Sequence, residues 1–148
     1  KYRWGEEFQY NEAQLCKSLS KAVLATTAMG IGMGLMNFAL TRNIVEKRLP
    51  KPGEGPDEKA RNDGFFEMFI HASHPHDSMK DLRAKVTGDR DPGYGSTSKM
   101  LAESAICLAL DEKKSEGGIW TPSSALGSQL IDRLIKNAGL TFELVPID

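Results

Sequence analysis

Gly88-Asp89-Arg90-Asp91-Pro92-Gly93-Tyr94-Gly95-Ser96-Thr97-Ser98 separates two segments of different periodicity, and that change decides the fold. Before it, residues 81–87 (DLRAKVT) alternate: Leu82, Ala84 and Val86 fall on one side, Arg83, Lys85 and Thr87 on the other. This is the period-two pattern of a half-buried strand. After it, Met100, Leu101, Ala105, Leu108 and Ala109 recur at helical spacing and are expected to face a core. The stretch therefore reads as a strand-to-helix loop, with glycine where the backbone must turn tightly and Ser96, Thr97 and Ser98 offering N-cap oxygens.

Upstream, residues 65–72 (FFEMFIHA) alternate again, Phe66, Met68, Ile70 and Ala72 opposite Glu67, Phe69 and His71. A polar turn over residues 75–80 joins the two strands, which predicts an antiparallel hairpin with one buried face. Downstream, the helix is expected to run to about Lys113. Gly117-Gly118 ends the excursion, and Ile119-Trp120 reads as a short extended piece. Thr121-Pro122 then starts a second helix, with threonine as N-cap and proline at the first helical position. Leu126, Leu130, Ile131, Leu134 and Ile135 make its apolar stripe, Gly139 sits where a left-handed C-terminal cap belongs, and residues 140–145 form a last strand. This order predicts an α+β domain over residues 63–148, its sheet mainly antiparallel with helices packed on one face.

Residues 1–48 carry a helical pattern from Asn11 to Arg48 with an uncharged run over residues 22–40. That run is rich in glycine and methionine and sits at the short limit for spanning a bilayer. Lys17 and Lys21 precede it and Arg42, Lys47 and Arg48 follow, so the flanks set no orientation. Ala22, Thr26, Gly30 and Gly34 place small side chains on one helical face, which lets another backbone approach closely. A packing or homo-oligomer helix is the favoured reading, and contact with a membrane interface is the alternative. Residues 49–62, opening with Leu49-Pro50-Lys51-Pro52-Gly53-Glu54-Gly55-Pro56, read as a Pro/Gly connector.

The 148 residues carry a formal net charge of -1, and the basic residues form no stripe interleaved with aromatics, which excludes a nucleic-acid surface. Cys16 and Cys107 lie far apart in apolar helical patterns and are expected as two reduced, buried thiols of a cytoplasmic protein. The chain opens on Lys1 and an aromatic, charged stretch from Tyr2 to Glu6 with no signal-peptide pattern. It is expected to be the second part of a larger protein.

Gly30-Ile31-Gly32-Met33-Gly34 invites a dinucleotide-binding reading, but no strand precedes it and basic residues and prolines follow. His71, His74 and His76 with Asp77 and Asp81 are metal-ligand types, yet they read better as surface turn residues, so no metal site is assigned. No nucleophile–histidine arrangement is recognisable and no catalytic residue is assigned. In the loop, the first backbone N–H groups of the helix and the hydroxyls beside them suit an anionic group. Geometry nevertheless accounts for the glycines better than chemistry does.

The connector from Leu49 to Pro56 resembles that of saccharopine dehydrogenase-like oxidoreductases, which include the trans-acting enoyl reductases. Val86-Thr87-Gly88-Asp89-Arg90-Asp91-Pro92-Gly93-Tyr94 running into Lys99-Met100-Leu101-Ala102-Glu103-Ser104-Ala105 carries the same resemblance. So do Gly117-Gly118-Ile119-Trp120-Thr121-Pro122, Leu130-Ile131-Asp132-Arg133-Leu134 and Gly139-Leu140-Thr141-Phe142. The likeness runs from about Leu49 to the end. It implies a full-length protein with a Rossmann domain that binds NAD or NADP, and a C-terminal region that lines the substrate cleft and the oligomer interface. The phosphate loop is missing here, so no residue of this chain is assigned to the cofactor. Arg90, Tyr94, Ser96 and Lys99 are the substrate-binding candidates. Tyr94, Ser96 and Lys99 would face a small-molecule or lipid-linked substrate, with Arg90 held by Asp89 or Asp91. The rival expectation is a non-catalytic membrane-associated or scaffolding module anchored by residues 22–40.

Overall fold

The computed structural model describes residues 8–111 and 115–147; the stretch from Tyr2 to Glu6 and the expected helix end at Lys113 lie outside the described residues. The chain divides into two compact units, residues 1–55 and 56–148. In the first, helix α1 (Leu19–Met36) opens on Ser18, whose hydroxyl accepts from the Lys21 N–H, and helix α2 (Ala39–Glu46) follows. The helical run predicted from Asn11 to Arg48 is thus shorter at its start and broken at Asn37-Phe38. Side chains at the break take up the carbonyls that α1 leaves unpaired at its C-terminus. The Asn37 amide donates to Met33 O, the Thr41 hydroxyl to Leu35 O and Arg42 Nε to Met36 O. Phe38 is extended, at φ -102° and ψ 129°. No described residue of α1 is buried, and Cys16 precedes it on an exposed segment, against the expectation of a buried thiol in a helix.

The second unit has the expected α+β class. Its short helix α3 (Glu58–Asp63) starts on Asp57, which accepts from the Ala60 N–H, and all of it but Asp63 lies within the stretch read as connector. Strands β1 (Phe66–Ala72), β2 (Leu82–Gly88) and β3 (Leu140–Leu144) form one antiparallel sheet in the order β1-β2-β3. Register follows the alternation in the sequence. Phe66 pairs with Gly88 and Gly88 with Leu140; Met68 pairs with Val86 and Val86 with Phe142. These residues share one face, and helices α4 (Gly95–Leu110) and α5 (Pro122–Ala138) pack on it at Phe66, Leu140 and Phe142. Met68, Ile70, Ala72 and Leu82 are exposed, against the expectation of a hairpin with one buried face. The core gathers Cys107 from α4, Leu126, Leu130, Leu134 and Ala138 from α5, and Leu140, with Phe66 and Phe142 against it. Each buried leucine side chain contributes about 1.5–3 kcal/mol of transfer free energy.

Three local expectations change. On α4 the buried apolar residue is Cys107; Leu101, Leu108, Ala105 and Ala109 are exposed, and only Met100 of the predicted stripe packs against the core. Ile119-Trp120 joins no strand, because two residues between Gly117-Gly118 and Thr121-Pro122 offer too few backbone groups to pair. The helix α5 carries the predicted Thr121 cap and Pro122, but bends at Gly127, whose φ of 53° and ψ of -134° leave the helical region. Its end is as expected: Gly139 at φ 72° supplies the left-handed cap.

A polar clamp fixes α5 to the end of α4. Arg133 Nε and Nη2 each donate to Asp111 at 2.6 Å, the planar fork of a bidentate pair. Arg133 Nη1 donates to Glu103 at 3.2 Å, and the Asn137 amide donates to the same oxygen at 3.1 Å. Hydrogen bonding to Arg133 holds the Asp111 carboxyl down to about 2, while burial pushes the Cys107 thiol up. A carboxyl depressed in the folded state adds stability above its unfolded pKa, which is lost as pH falls through the folded value. Arg133→Met is therefore expected to lower Tm at neutral pH. Thermal scans by circular dichroism should show the gap from wild type closing between about pH 4 and pH 2. A gap that stays constant over that range counts against the clamp.

Candidate functional site

The loop between β2 and α4 is organised by one carboxylate. Asp91 Oδ1 accepts from the Gly93 N–H at 3.0 Å, and Oδ2 accepts from Tyr94 and Gly95 at 2.9 and 2.7 Å. The Asp91 carbonyl accepts from the Ser96 N–H at 2.8 Å, and its own N–H donates to Arg61 O in α3 at 3.2 Å. The N–H bonds from Gly95 and then Tyr94 hold the carboxyl below its usual range, with Gly93 and the nearby Arg61 charge adding to them. A side chain at Gly95 would run into Arg61 O, its Cβ only 2.8 Å away, so glycine is required for this close approach.

The hydroxyls expected as N-caps serve otherwise. Ser96 is fully buried and donates to Arg90 O at 3.0 Å; Thr97 donates to Pro92 O and Ser98 to Gly95 O. Asp91 caps the helix instead. Its place three residues before the helix-flanking Tyr94 conceals that role in the sequence, although an Asp-Pro-Gly turn is a signal that finds it. The α4 N-terminus, read as suited to an external anion, already holds a carboxylate of its own chain.

The four substrate-binding candidates divide accordingly. Arg90 was expected against Asp89 or Asp91, but its Nη1 donates to Asn62 Oδ1 on α3, and its buried Nε meets no acceptor among the described residues. Asn62 lies 28 residues upstream, beyond the reach of local pattern. Asp89 faces Lys99 instead, Nζ to Oδ1 3.9 Å, and its N–H donates to Gly139 O. Tyr94 is 58% exposed. The structure thus joins Arg90 to Ser96 and Lys99 to Asp89, and leaves the Tyr94 side chain open to solvent.

Elsewhere the geometry offers little chemistry. The glycines at 30, 32 and 34 lie inside α1. The described strand-loop-helix passage, β2 to α4, has antiparallel neighbours and a filled helix N-terminus. Neither fits a nicotinamide dinucleotide. His74 N–H donates to Asp81 and the His74 and His76 rings meet edge to face, while His71 stands opposite Arg83 in the sheet. Among the described residues, no three His, Cys, Asp or Glu gather as metal ligands.

A groove of about 560 Å³ runs between the exposed face of α4 and the start of α5. Leu101, Ala105, Leu108, Trp120, Pro122 and Leu126 line it. Sequence reading missed it because Leu101 and Leu108, 70% and 53% exposed, fit an apolar stripe and were assigned to the core.

The chain is similar to proteins named trans-acting enoyl reductase. It is 33% identical to one of Mycobacterium tuberculosis (strain ATCC 25618 / H37Rv) and to one of Mycobacterium bovis (strain BCG / Pasteur 1173P2). It is 34% identical to one of Mycobacterium ulcerans (strain Agy99). Each match covers 90% of this chain and 33% of the relative, so the chain spans about a third of the length of the curated relatives it matches. No family model matches the chain, and no solved structure matches it.

Because the Asp91 carboxylate occupies the start of α4, removing it should cost stability. Asp91→Ala is expected to lower Tm by roughly 4–8 °C, whereas Asp91→Asn, a good capping residue, should retain most of it. Equal losses in the two variants, or none in either, would show that the carboxylate does not cap α4.

Proposed function

We propose that this chain is the substrate-side and oligomerisation part of an NAD(P)H-dependent reductase of the trans-acting enoyl reductase kind, within the saccharopine dehydrogenase-like oxidoreductases. The observation that carries this reading is identity of about one third over 90% of the chain with relatives of that name. In such a reaction the cofactor supplies hydride to a carbon–carbon double bond of an acyl substrate. Among the described residues neither the α1 glycines nor the β2–α4 passage fits a dinucleotide, so no residue here is assigned to the cofactor. The residues of this chain build a wall of the cleft: the loop braced by Asp91, with Tyr94 open to solvent and Arg90 and Lys99 fixed behind it.

The same reading gives α1 to contact between copies in a homo-oligomer. Ala22, Thr26, Gly30 and Gly34 recur every four residues along it, and Cβ atoms added at Gly30 and Gly34 would meet nothing within 4 Å. The small residues leave room for a second backbone.

The test uses a polypeptide of the relatives' full length that contains this chain. Titration with NADPH and NADH should enhance nicotinamide fluorescence saturably, and sedimentation of the same sample should give a closed oligomer. No enhancement at saturating cofactor removes the reductase reading; a monomer removes the role given to α1.

A further inference from the structure

We infer that the groove between α4 and α5 receives the aliphatic chain of an uncharged acyl thioester. This inference rests on the reductase reading above and names the part of the substrate that this chain would contact. The groove volume, about 560 Å³, lies within the range of small-molecule sites.

Apart from Ser115, Glu116 and the Gly117-Gly118 backbone, the described lining offers few hydrogen bonds. The Trp120 indole N–H is spent on Glu116 O at 3.0 Å, and the Ser104 hydroxyl on Met100 O at 2.7 Å. Trp120 is pinned from below, since a Cβ at Gly118 would stand 3.0 Å from the indole nitrogen. What these residues present is hydrocarbon: the indole, Leu101, Leu108 and Ala105 on the walls, with Leu126 of the core reaching the floor. Against those walls an occupant with its own donors and acceptors would lose hydration with little replacement, whereas an aliphatic chain loses nothing polar.

Charge narrows the choice further. Glu116 is the one ionisable residue among the described lining residues, so an anion entering beside it is repelled and a neutral chain is not. An acyl group held as a thioester is uncharged at its carbonyl end; a free fatty acid is a carboxylate at neutral pH. The fit is therefore to the thioester.

Calorimetric titration of the 148-residue chain with trans-2-butenoyl, octenoyl and dodecenoyl thioesters of N-acetylcysteamine tests this. Affinity should rise by up to about fourfold per added methylene, and dodecanoate should bind more weakly than the thioester of equal length. Ala105→Trp, which fills the groove from an exposed position, should abolish the chain-length dependence. Leu108→Ser, also exposed, should weaken dodecenoyl binding several-fold, and it stands in if the tryptophan variant does not fold. Absent or length-independent binding, binding unchanged by the variants, or dodecanoate as tight as the thioester overturns the inference. Length-dependent binding here with no cofactor binding by the full-length polypeptide removes the reductase reading and leaves the groove assignment standing. Cofactor binding with length-independent acyl binding removes the groove assignment alone.

Discussion

The second unit depends on one carboxylate placed where three backbone N–H groups converge. β2 leaves the sheet at Gly88, and within seven residues the chain must turn and start a helix whose first amides have no helical acceptors. Asp91 answers that need from its side chain and ties the same point to α3 through its N–H and to α4 through its carbonyl. With α4 fixed, Cys107 meets the leucines of α5, and the Arg133 clamp closes the far end of the pair. The layer over Phe66, Leu140 and Phe142 follows from those two joints.

Much of this was legible in the sequence where residues alternate or local backbone preferences are strong, although the hairpin face expected to be buried is largely exposed. The alternation in β1 and β2 gave the hairpin register, and Thr121-Pro122 and Gly139 marked the ends of α5 because their backbone preferences are strong and local. The stripe on α4 was not legible. Its apolar residues run round the helix, so spacing alone does not separate Cys107, which is buried, from Leu101 and Leu108, which are not. The break at Asn37-Phe38 was hidden in the same way, inside a run read by composition. The loop chemistry was half visible. Glycine, serine and aspartate announced a turn, but the Arg90–Asn62 and Asp89–Gly139 contacts depend on segments distant in sequence.

The polar side chains of the β2–α4 loop and of the α4–α5 clamp bond within the second unit's own architecture. Asp91, Ser96, Arg90 and Arg133 each bond within the fold, while apolar surface lines the groove. That division is what the proposed substrate-side role requires. It also explains why single motifs said little: the binding surface proposed here is a shape left between two helices, and its residue types are those of any core.

Titration of Asp91 by carbonyl-detected NMR, followed together with the amide signals of Gly93, Tyr94 and Gly95, tests the central claim most directly. The carboxylate should titrate below its ordinary value of 3.8, and the three amides should shift with the same midpoint because they lose a charged acceptor together. An Asp91 midpoint at or above 3.8, with amides that do not follow it, would contradict the account.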